Sequence, residues 1–318
     1  MARCITIKSR SKNLRDTKIE LDFDASPNTL EAILQKISEQ NKGISKNRLR
    51  LTYLKESKQV PITNDKFFQG NEETVGEKEE LYIKDLGPQI SYRLVFILEY
   101  LGPILVHTLA YFLSKQPYFV EHFHSSNVPY NPFLNKIVYT MILAHYIKRE
   151  FESAFIHKFN LSTMPLFNLF KNSFHYWVLN GLIALSYFGY GFVCQDSKIL
   201  SLYEKAHLQN LSTLIALFAL SESWNFYVHL KLRRWGDYQL KKGTADQRLP
   251  LNEGIFTVFV APNYTFEVWS WFWFTVVLKF NLFAMLFLTV STAQMYLWAQ
   301  KKNRKYKTKR AFLIPYIF

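Results

Sequence analysis

The sequence predicts a mainly α-helical, polytopic membrane domain preceded by a small α+β domain. Residues 1–88 are polar and rich in charge, and they contain no apolar run longer than a strand. Residues 94–299, by contrast, carry repeated apolar runs that approach the roughly 20 residues a helix needs to cross a bilayer. We therefore expect two domains, a head of residues 1–88 and a membrane domain with a basic tail, residues 89–318.

The head contains one predicted helix among several predicted strands. Alternating apolar and polar residues indicate half-buried strands at residues 4–10, 18–23, 48–53 and 80–86. Ser26 and Pro27 suit the first turn of a helix. The apolar stripe of that helix comprises Leu30, Ile33, Leu34 and Ile37. This order resembles the ubiquitin-like β-grasp fold, and the head, which shows no catalytic constellation, is expected to dock a partner or stabilise the chain.

The membrane domain contains five long apolar runs that predict six spans. The runs cover residues 94–114, 132–147, 173–193, 211–230 and 265–298. The last run is too long for one crossing, and we expect it to form two spans that turn near Lys279. The N-terminus shows no cleavable signal peptide, so the first span is expected to serve as the targeting signal.

The net charge of +14 is concentrated in particular loops and in the tail. Lysine and arginine cluster at Lys148 and Arg149, at residues 231–234 and 241–248, and at residues 301–310. Because such clusters mark the cytoplasmic side of a membrane protein, we expect the head, the loop of residues 231–265 and the tail to face the cytosol. Membrane topology therefore explains the positive charge better than nucleic-acid binding does. Binding of the phosphate groups of a cofactor is a second use for the same cations.

Several polar residues lie where an apolar environment makes them costly, and an ionisable group within a span is a functional hypothesis by default. Glu99 lies in the first span, the fourth span carries Glu222, Asn225, His229 and Arg233, and Tyr264 and Glu267 begin the fifth. Asn225, His229 and Arg233 recur every fourth residue and so share one helix face. In the predicted topology all of these residues reach the cytosolic leaflet, where they indicate either a reaction site or hydrogen bonds that hold helices together.

The sequence lacks the common motifs for dinucleotide and metal binding. No GxGxxG follows a predicted strand, and the GYG of residues 189–191 lies within a span. The eight histidines form none of the HxxxH or HxxHH clusters of membrane di-iron enzymes. Cys4 and Cys194 are predicted on opposite sides of the membrane, which excludes a disulfide framework. We therefore expect neither a metal nor a Rossmann domain.

Four segments resemble one family of membrane reductases. The segments GIFTVFVAPNYTFEVWSW (residues 254–271), WNFYVHLKLRRWG (residues 224–236) and KRAFLIPYIF (residues 309–318) resemble the steroid 5α-reductase family. Residues 81–103, together with the head, resemble its very-long-chain trans-2-enoyl-CoA reductases of fungal type. The resemblance implies NADPH-dependent reduction of trans-2-enoyl-CoA to saturated acyl-CoA. That reaction is the last step of fatty-acid elongation at the endoplasmic reticulum, where other elongation enzymes are the expected partners.

The resemblance also implies roles for individual residues. Tyr264 corresponds to the proton donor of the family's Asn-Tyr motif, and Glu99 to a glutamate that hydrogen-bonds the tyrosine or the substrate. Asn225 corresponds to an asparagine that holds the nicotinamide carboxamide. The other residues expected to bind NADPH are His229, Arg233, Arg234, Asn263, Lys302 and Arg310. The cations among them are equally explained as topology markers or as ligands of CoA phosphates.

Two alternatives remain open. A sterol or steroid double-bond reductase would share the fold, but such enzymes usually carry Arg-His before the tyrosine motif, where this chain has Ala261 and Pro262. A non-enzymatic scaffold of the elongation complex would not need Glu99 and Tyr264 at a membrane. The sequence therefore predicts an NADPH-dependent enoyl-CoA reductase that takes a long-chain enoyl-CoA at a lipid bilayer.

Overall fold

The chain forms two compact units in the computed structural model, one comprising Met1–Tyr92 and Leu161–Asn168 and the other Arg93–Asn160 and Leu169–Phe318. The structure describes residues 2–22, 29–68, 80–159, 161–192, 197–206, 208, 210–244, 247 and 249–315. The predicted helix start at Ser26 and Pro27 and the position of Cys194 lie outside the described residues.

Five strands build the sheet of the first unit. They are β1 (Ala2–Ser9), β2 (Thr17–Asp22), β3 (Leu49–Lys55), β4 (Lys58–Pro61) and β5 (Leu81–Asp85). Their order across the sheet is β2-β1-β5-β3-β4, with β1 and β5 parallel and the other neighbours antiparallel. The four strands expected from the sequence are confirmed. The short strand β4 was not predicted, because its four residues carry no clear apolar alternation.

One helix, α1 (Thr29–Gln40), packs on this sheet. Its expected apolar stripe is confirmed, since Ile33 and Ile37 are fully buried and Leu30 and Leu34 pack against the same core. Complete burial of one such side chain contributes about 1.5–3 kcal/mol. Alternate residues of the strands face the helix, because successive side chains of a strand point to opposite faces. The core of the head is thus a single layer between α1 and the sheet.

An ion pair fastens the end of β5 to the turn before β3. Arg48, in the 3₁₀ turn Lys46–Arg48, donates from Nη2 to Asp85 Oδ2 over 2.6 Å and from Nε to Oδ1 over 3.1 Å. The carboxylate also accepts from the backbone N–H of Gly87, and the Asp85 side chain is only 6% exposed. The hydrogen bonds from Arg48 lower the pKa of Asp85 to about 2.

A second sheet of two strands completes the first unit. In it β6 (Gln89–Ser91) pairs antiparallel with β7 (Thr163–Pro165), and Ile90 lies opposite Met164. This pairing explains why a short segment from the middle of the chain belongs to the same unit as the head.

Helices make up most of the rest of the described chain. The α-helices are α2 (Tyr92–Ser114), α3 (Pro117–His122), α4 (Pro132–Phe151), α5 (Phe167–Ser173), α6 (Ser197–Lys205), α7 (Leu211–Lys241), α8 (Ile255–Val258), α9 (Pro262–Val277) and α10 (Leu282–Tyr306). π-helical turns extend α4 over Glu152–Ile156 and α5 over Phe174–Asn180, and a 3₁₀ segment follows over Gly181–Phe188. The third apolar run, expected as one regular span, therefore has mixed helical geometry.

Two of the described helices, α2 and α10, are long and apolar enough to cross a membrane. The six predicted spans are thus supported only in part. The fourth apolar run does form a helix, but α7 continues for 31 residues to Lys241. Its basic residues after position 230, expected to open a loop, are helical instead.

The last apolar run turns where the sequence predicts. Helix α9 ends at Val277, and Lys279 and Phe280 have φ values of 50° and 57° in the left-handed region. The side chain of Asn281 then caps α10 by accepting from the backbone N–H of Phe283. The expected turn near Lys279 is confirmed.

The outward face of α2 is apolar. Leu101, Leu105, Leu109 and Phe112 are between 36% and 62% exposed, and their spacing of three or four residues places them on one face. Soluble monomers rarely expose a continuous apolar stripe of this kind. The face therefore suits contact with lipid.

We expect Arg48→Met to weaken the head at neutral pH and to remove part of its sensitivity to acid. Because the folded-state pKa of Asp85 lies below its unfolded value, the ion pair stabilises the head above about pH 4 and is lost as the pH falls towards 2. Amide hydrogen exchange of the full chain, from about pH 7 to about pH 3, should show wild-type head amides opening as acid is added.

The R48M head should already open faster at pH 7. Lys46→Met is a matched control, since it removes the exposed ion pair with Glu31 and should change little. Equal exchange of R48M and wild type at neutral pH would contradict the stabilising role of the pair.

Candidate functional site

Polar side chains from three helices meet in the interior of the second unit. They are His145, Lys148 and Arg149 of α4, Glu222, Asn225 and His229 of α7, and Glu267 of α9. Within each helix the residues recur at helical spacing and so fall on one face. His145, Asn225 and His229 are buried. The structure thus brings Asn225 and His229, singled out from the sequence, into one group with α4.

His145 and Lys148 pair with the two carboxylates of this group. His145 Nδ1 lies 2.9 Å from Glu222 Oε1, and Nε2 lies 3.3 Å from Glu267 Oε1. Lys148 Nζ lies 2.7 Å from Glu222 Oε2 and donates to Asn225 Oδ1 over 2.6 Å. A carboxylate removed from water is costly unless it is paired. These contacts therefore explain how Glu222 and Glu267 are accommodated, and Glu267 bridges helices.

The side-chain amide of Asn225 is engaged on both sides. Besides accepting from Lys148, it donates to the backbone carbonyl of Asn263 over 2.8 Å and to Glu267 Oε2 over 3.2 Å. Asn225 therefore ties α7 to α4 and α9. The Oδ1 atom of Asn263 is buried and has no hydrogen-bond partner among the described residues. Its capacity to accept a hydrogen bond is therefore unused.

Arg149 lies at the centre of a second group. Its Nη1 donates to Glu152 Oε2 over 2.6 Å and to His229 Nε2 over 3.0 Å, and its Nη2 donates to the Tyr100 hydroxyl over 2.9 Å. Because a guanidinium only donates, His229 Nε2 accepts and its proton is on Nδ1. That proton is donated to His157 Nε2 over 3.0 Å. Burial and the nearby Arg149 cation lower the pKa of His157 to about 3, so His157 is neutral near pH 7.

Three residues of this group have the spacing of metal ligands. Ligand atoms of Glu152, His157 and His229 lie within 4.8 Å of one another. Arg149 already donates to Glu152 and His229. A metal ion would have to displace the guanidinium and would be repelled by it. We therefore assign the group to Arg149 and not to a metal.

Glu99 lies beside a set of tyrosines. Its side chain interacts with Asn172, and its Oε2 is buried without a hydrogen-bond partner among the described residues. The ring centroid of Tyr100 lies 6.1 Å from that of Tyr146 and 5.1 Å from that of Tyr176. The Tyr146 hydroxyl is also buried with no partner in the part of the chain that the structure describes. This region therefore has hydrogen-bonding capacity that a polar ligand can use.

The turn of α2 that carries Glu99 is held by Trp177. Pro103 has no N–H, so the Glu99 carbonyl lacks its usual helical donor. One residue earlier, the carbonyl of Leu98 accepts from Trp177 Nε1 over 3.0 Å. The indole lies so close to Gly102 that a Cβ there would be 2.1 Å from Nε1. Glycine at this position lets the indole reach the backbone of α2.

Tyr264 lies half-buried in the first turn of α9. Its ring packs in a cluster with Phe312, and its centroid is 6.0 Å from that of Trp298. The Nζ atom of Lys302 lies over the same ring, 4.4 Å from the centroid. The structure thus brings together Tyr264 and Lys302, which the sequence assigned to separate roles.

The C-terminal tail forms one wall of a cavity of about 1190 Å³. The tail is fastened beside α9, because the N–H of Val260 donates to the carbonyl of Ala311 and the hydroxyl of Thr265 donates to the carbonyl of Phe312. The cavity lining includes Arg304, Lys307, Lys309, Arg310, Tyr296 and Phe312. It is therefore strongly cationic on one side and borders the residues packed around Tyr264.

The remaining predicted cofactor ligands lie in different surroundings. Arg233 forms an ion pair with Asp237 at 3.0 Å and donates to a backbone carbonyl of the π-helical turn after α4. Arg310 lines the tail cavity and donates to the carbonyl of Phe256 over 2.7 Å. Arg234 is exposed. The structure therefore does not gather these three arginines into one site.

The contribution of α4 was missed in the sequence. Lys148 and Arg149, interpreted as marks of the cytosolic side, instead bind residues of the interior. His145 and Tyr146 were not singled out at all. The available signal is the run HYIKR, in which polar residues recur at helical spacing at the end of an otherwise apolar segment.

Known proteins resemble this chain over most of its length. A family model described as 3-oxo-5-alpha-steroid 4-dehydrogenase matches residues 162–318. A very-long-chain enoyl-CoA reductase of Dictyostelium discoideum is 32% identical over 307 residues, covering 93% of this chain and 94% of that protein. The chain belongs to the very-long-chain enoyl-CoA reductase family.

Two further relatives agree with this membership and with the resemblance seen in the sequence. A Schizosaccharomyces pombe protein, provisionally named enoyl reductase, is 34% identical over 308 residues, covering 95% of this chain and 93% of that protein. A Caenorhabditis elegans protein, provisionally named very-long-chain enoyl-CoA reductase, is 33% identical over 295 residues, covering 91% of this chain and 88% of that protein.

We expect Gly102→Ala to destabilise the second unit and Gly236→Ala to leave it intact. The methyl group at position 102 would overlap the Trp177 indole, and such overpacking costs about 1–3 kcal/mol. Gly236 is also helical, but no atom lies within 4 Å of where its Cβ would be, so alanine there should stabilise by up to about 1 kcal/mol. Thermal unfolding of the detergent-purified variants compares the two. An unfolding temperature of G102A at or above that of G236A would contradict the close contact between Trp177 and Gly102.

Proposed function

We propose that the chain is an oxidoreductase that reduces the double bond of a trans-2-enoyl-CoA, with NADPH as the hydride source. The name of the Dictyostelium discoideum relative, which this chain matches almost end to end, supports the substrate class. The structural observation that carries the proposal is a tyrosine next to a cationic cavity. Tyr296 and Phe312 line the tail cavity and also pack in the cluster that holds Tyr264.

Reduction of an enoyl thioester requires a hydride at Cβ and a proton at Cα. Negative charge develops on the thioester oxygen between the two events, and hydrogen-bond donors aimed at that oxygen accelerate the reaction. NADPH, when bound, supplies the hydride. The chain must therefore orient cofactor and substrate, donate to the oxygen and provide the proton.

The residues present fit a nicotinamide cofactor. The buried, unpartnered Oδ1 of Asn263 suits the N–H of a carboxamide. The cationic wall of the tail cavity suits phosphate groups, since guanidinium and ammonium groups bind phosphate through charge-assisted hydrogen bonds. An additional phosphate on the cofactor would strengthen this attraction, which favours NADPH over the unphosphorylated form.

The cofactor ligands expected from the sequence differ in the support they receive. Asn263 has a buried acceptor, Oδ1, without a hydrogen-bond partner among the described residues, and Arg310 lines the tail cavity. Asn225 would have to exchange one of its present hydrogen bonds to hold a carboxamide. His229, Arg233 and Arg234 remain proposed ligands.

The thioester oxygen is proposed to bind beside Glu99. The hydroxyl of Tyr146 and the Oε2 atom of Glu99 are both buried without a partner among the described residues. A buried polar group without a hydrogen-bond partner costs free energy. A ligand that forms hydrogen bonds with both Tyr146 and Glu99 would remove this cost and bind more tightly. A phenol donates to a carbonyl oxygen, and a protonated carboxyl group can do the same.

Tyr264 is proposed as the acid. In this step the phenolic O–H bond breaks, a C–H bond forms at Cα, and the electron pair stays on the phenolate oxygen. Because the residue is half-buried, the phenolate can regain a proton from solvent. A long acyl chain would meanwhile lie among apolar side chains or lipid.

The setting proposed for this reaction is the endoplasmic reticulum membrane, with six spans and with the head, site and tail on the cytosolic side. The two candidate spans and the apolar face of α2 support contact with lipid. The strand order of the head, with parallel β1 and β5 between antiparallel pairs, supports a ubiquitin-like β-grasp domain. Such a domain would dock other enzymes of fatty-acid elongation.

A steroid substrate is the second candidate. It is favoured by the family model of 3-oxo-5-alpha-steroid 4-dehydrogenase, which matches the C-terminal half of the chain. Purified protein assayed with NADPH and either enoyl-CoAs of graded length or an enone steroid separates the two. Reduction of the steroid alone would reverse the assignment.

We expect Tyr264→Phe to lower kcat for trans-2-enoyl-CoA by at least about a hundredfold, the usual effect of removing a general acid. The matched control is Tyr227→Phe on α7, which changes an exposed tyrosine and should keep wild-type turnover. NADPH oxidation by the two purified variants measures the effect. Near-normal turnover by folded Y264F would exclude Tyr264 as the donor.

A further inference from the structure

The ammonium group of Lys302 lies over the ring of Tyr264, the proposed acid, and not beside a carboxylate. Its Nζ is 4.4 Å from the centroid of the Tyr264 ring, and the side chain is half-buried. No carboxylate that the structure describes forms an ion pair with it. The usual reason for a lysine to be held in a protein interior is therefore missing, and the aromatic ring is the partner that the fold provides.

We propose that Lys302 is a positioning residue that stabilises the phenolate left on Tyr264 after proton transfer. The proposal rests on the proposed role of Tyr264 as the acid. It replaces the expectation, drawn from the sequence, that Lys302 binds the cofactor.

The physical basis is a difference between two charge states. A cation over the face of a neutral phenol is attracted weakly by the ring quadrupole. In the phenolate, negative charge spreads from the oxygen into the ring, and the attraction becomes one between full charges. Such an interaction is stronger in surroundings of low dielectric constant than in water. Since it grows as the proton leaves, it lowers the barrier to transfer.

The other polar groups around the ring do not provide this charge. Tyr296 of α10 packs in the same cluster but is neutral, and Arg310 of the tail is directed to backbone carbonyls. Glu267, one turn along α9, is engaged by His145. His229 of α7 is close enough for the charge of Lys302 to act on it, but it accepts from Arg149. Among the described groups, Lys302 therefore supplies the cation over Tyr264.

Three variants test this role. Lys302→Met removes the charge and keeps the length of the stem, Lys302→Arg keeps the charge, and Lys301→Met changes the exposed neighbour as a control. The measurements are kcat and the KM for NADPH near pH 7, both with trans-2-enoyl-CoA.

We expect K302M to lower kcat about 10- to 100-fold with little change in the KM for NADPH. A charge that acts only in the transition state changes kcat and leaves the binding of NADPH unchanged. K302R and K301M should stay close to wild type.

Other outcomes would overturn the proposal. A raised KM for NADPH with unchanged kcat would make Lys302 a cofactor ligand. Wild-type behaviour of K302M in both measurements would exclude both roles. If K302M does not fold, Lys302→Gln is measured in the same way, and an unchanged kcat in that variant contradicts the proposal. Failure of the proposed function is distinct, because it would show as an inactive wild type or an active Y264F.

Discussion

The interior of the second unit depends on the largely buried guanidinium of Arg149. A guanidinium can be held away from water only when its donors are paired. Here they reach the Tyr100 hydroxyl on α2, Glu152 in the π-helical turn and His229 on α7. One side chain thus fixes three backbone segments against α4. Removing a partner from such a group typically costs about 3–5 kcal/mol, so the arrangement of these segments is strongly constrained.

The same constraint determines where spare hydrogen-bonding capacity remains. Arg149 pairs with Glu152, Lys148 pairs with Glu222, and the amide of Asn225 joins helices. The buried atoms left without a hydrogen-bond partner among the described residues include the Oε2 atom of Glu99, the hydroxyl of Tyr146 and the Oδ1 atom of Asn263. An interior built for stability alone would satisfy these groups. Their position beside a fixed network of charges is what a site that binds polar ligands requires.

Much of the fold follows from local pattern. Alternation predicted four strands of the head, the apolar stripe predicted the face of α1, and a run too long for one crossing predicted the turn near Lys279. The residues of the candidate site were predicted less completely from the sequence. Lys148 and Arg149 were interpreted through a charge count, which takes no account of the helix face on which a cation lies. Tyr100 and Tyr146 could not be separated from other aromatic residues, since only packing against distant helices distinguishes them. The π-helical and 3₁₀ geometry of residues 174–188 has no counterpart in the apolar pattern of that run.

The proposed mechanism delivers hydride to Cβ and a proton from an exchangeable phenol to Cα. Isotope labelling of the product shows where each of the two arrives. Turnover of a long-chain trans-2-enoyl-CoA in D₂O with unlabelled NADPH should place deuterium at Cα, and turnover in H₂O with NADPH deuterated on the transferred position should place it at Cβ. Mass spectrometry of the saturated acyl-CoA locates each label. Labels in the reverse positions, or no saturated acyl-CoA from the wild-type protein, would contradict this mechanism.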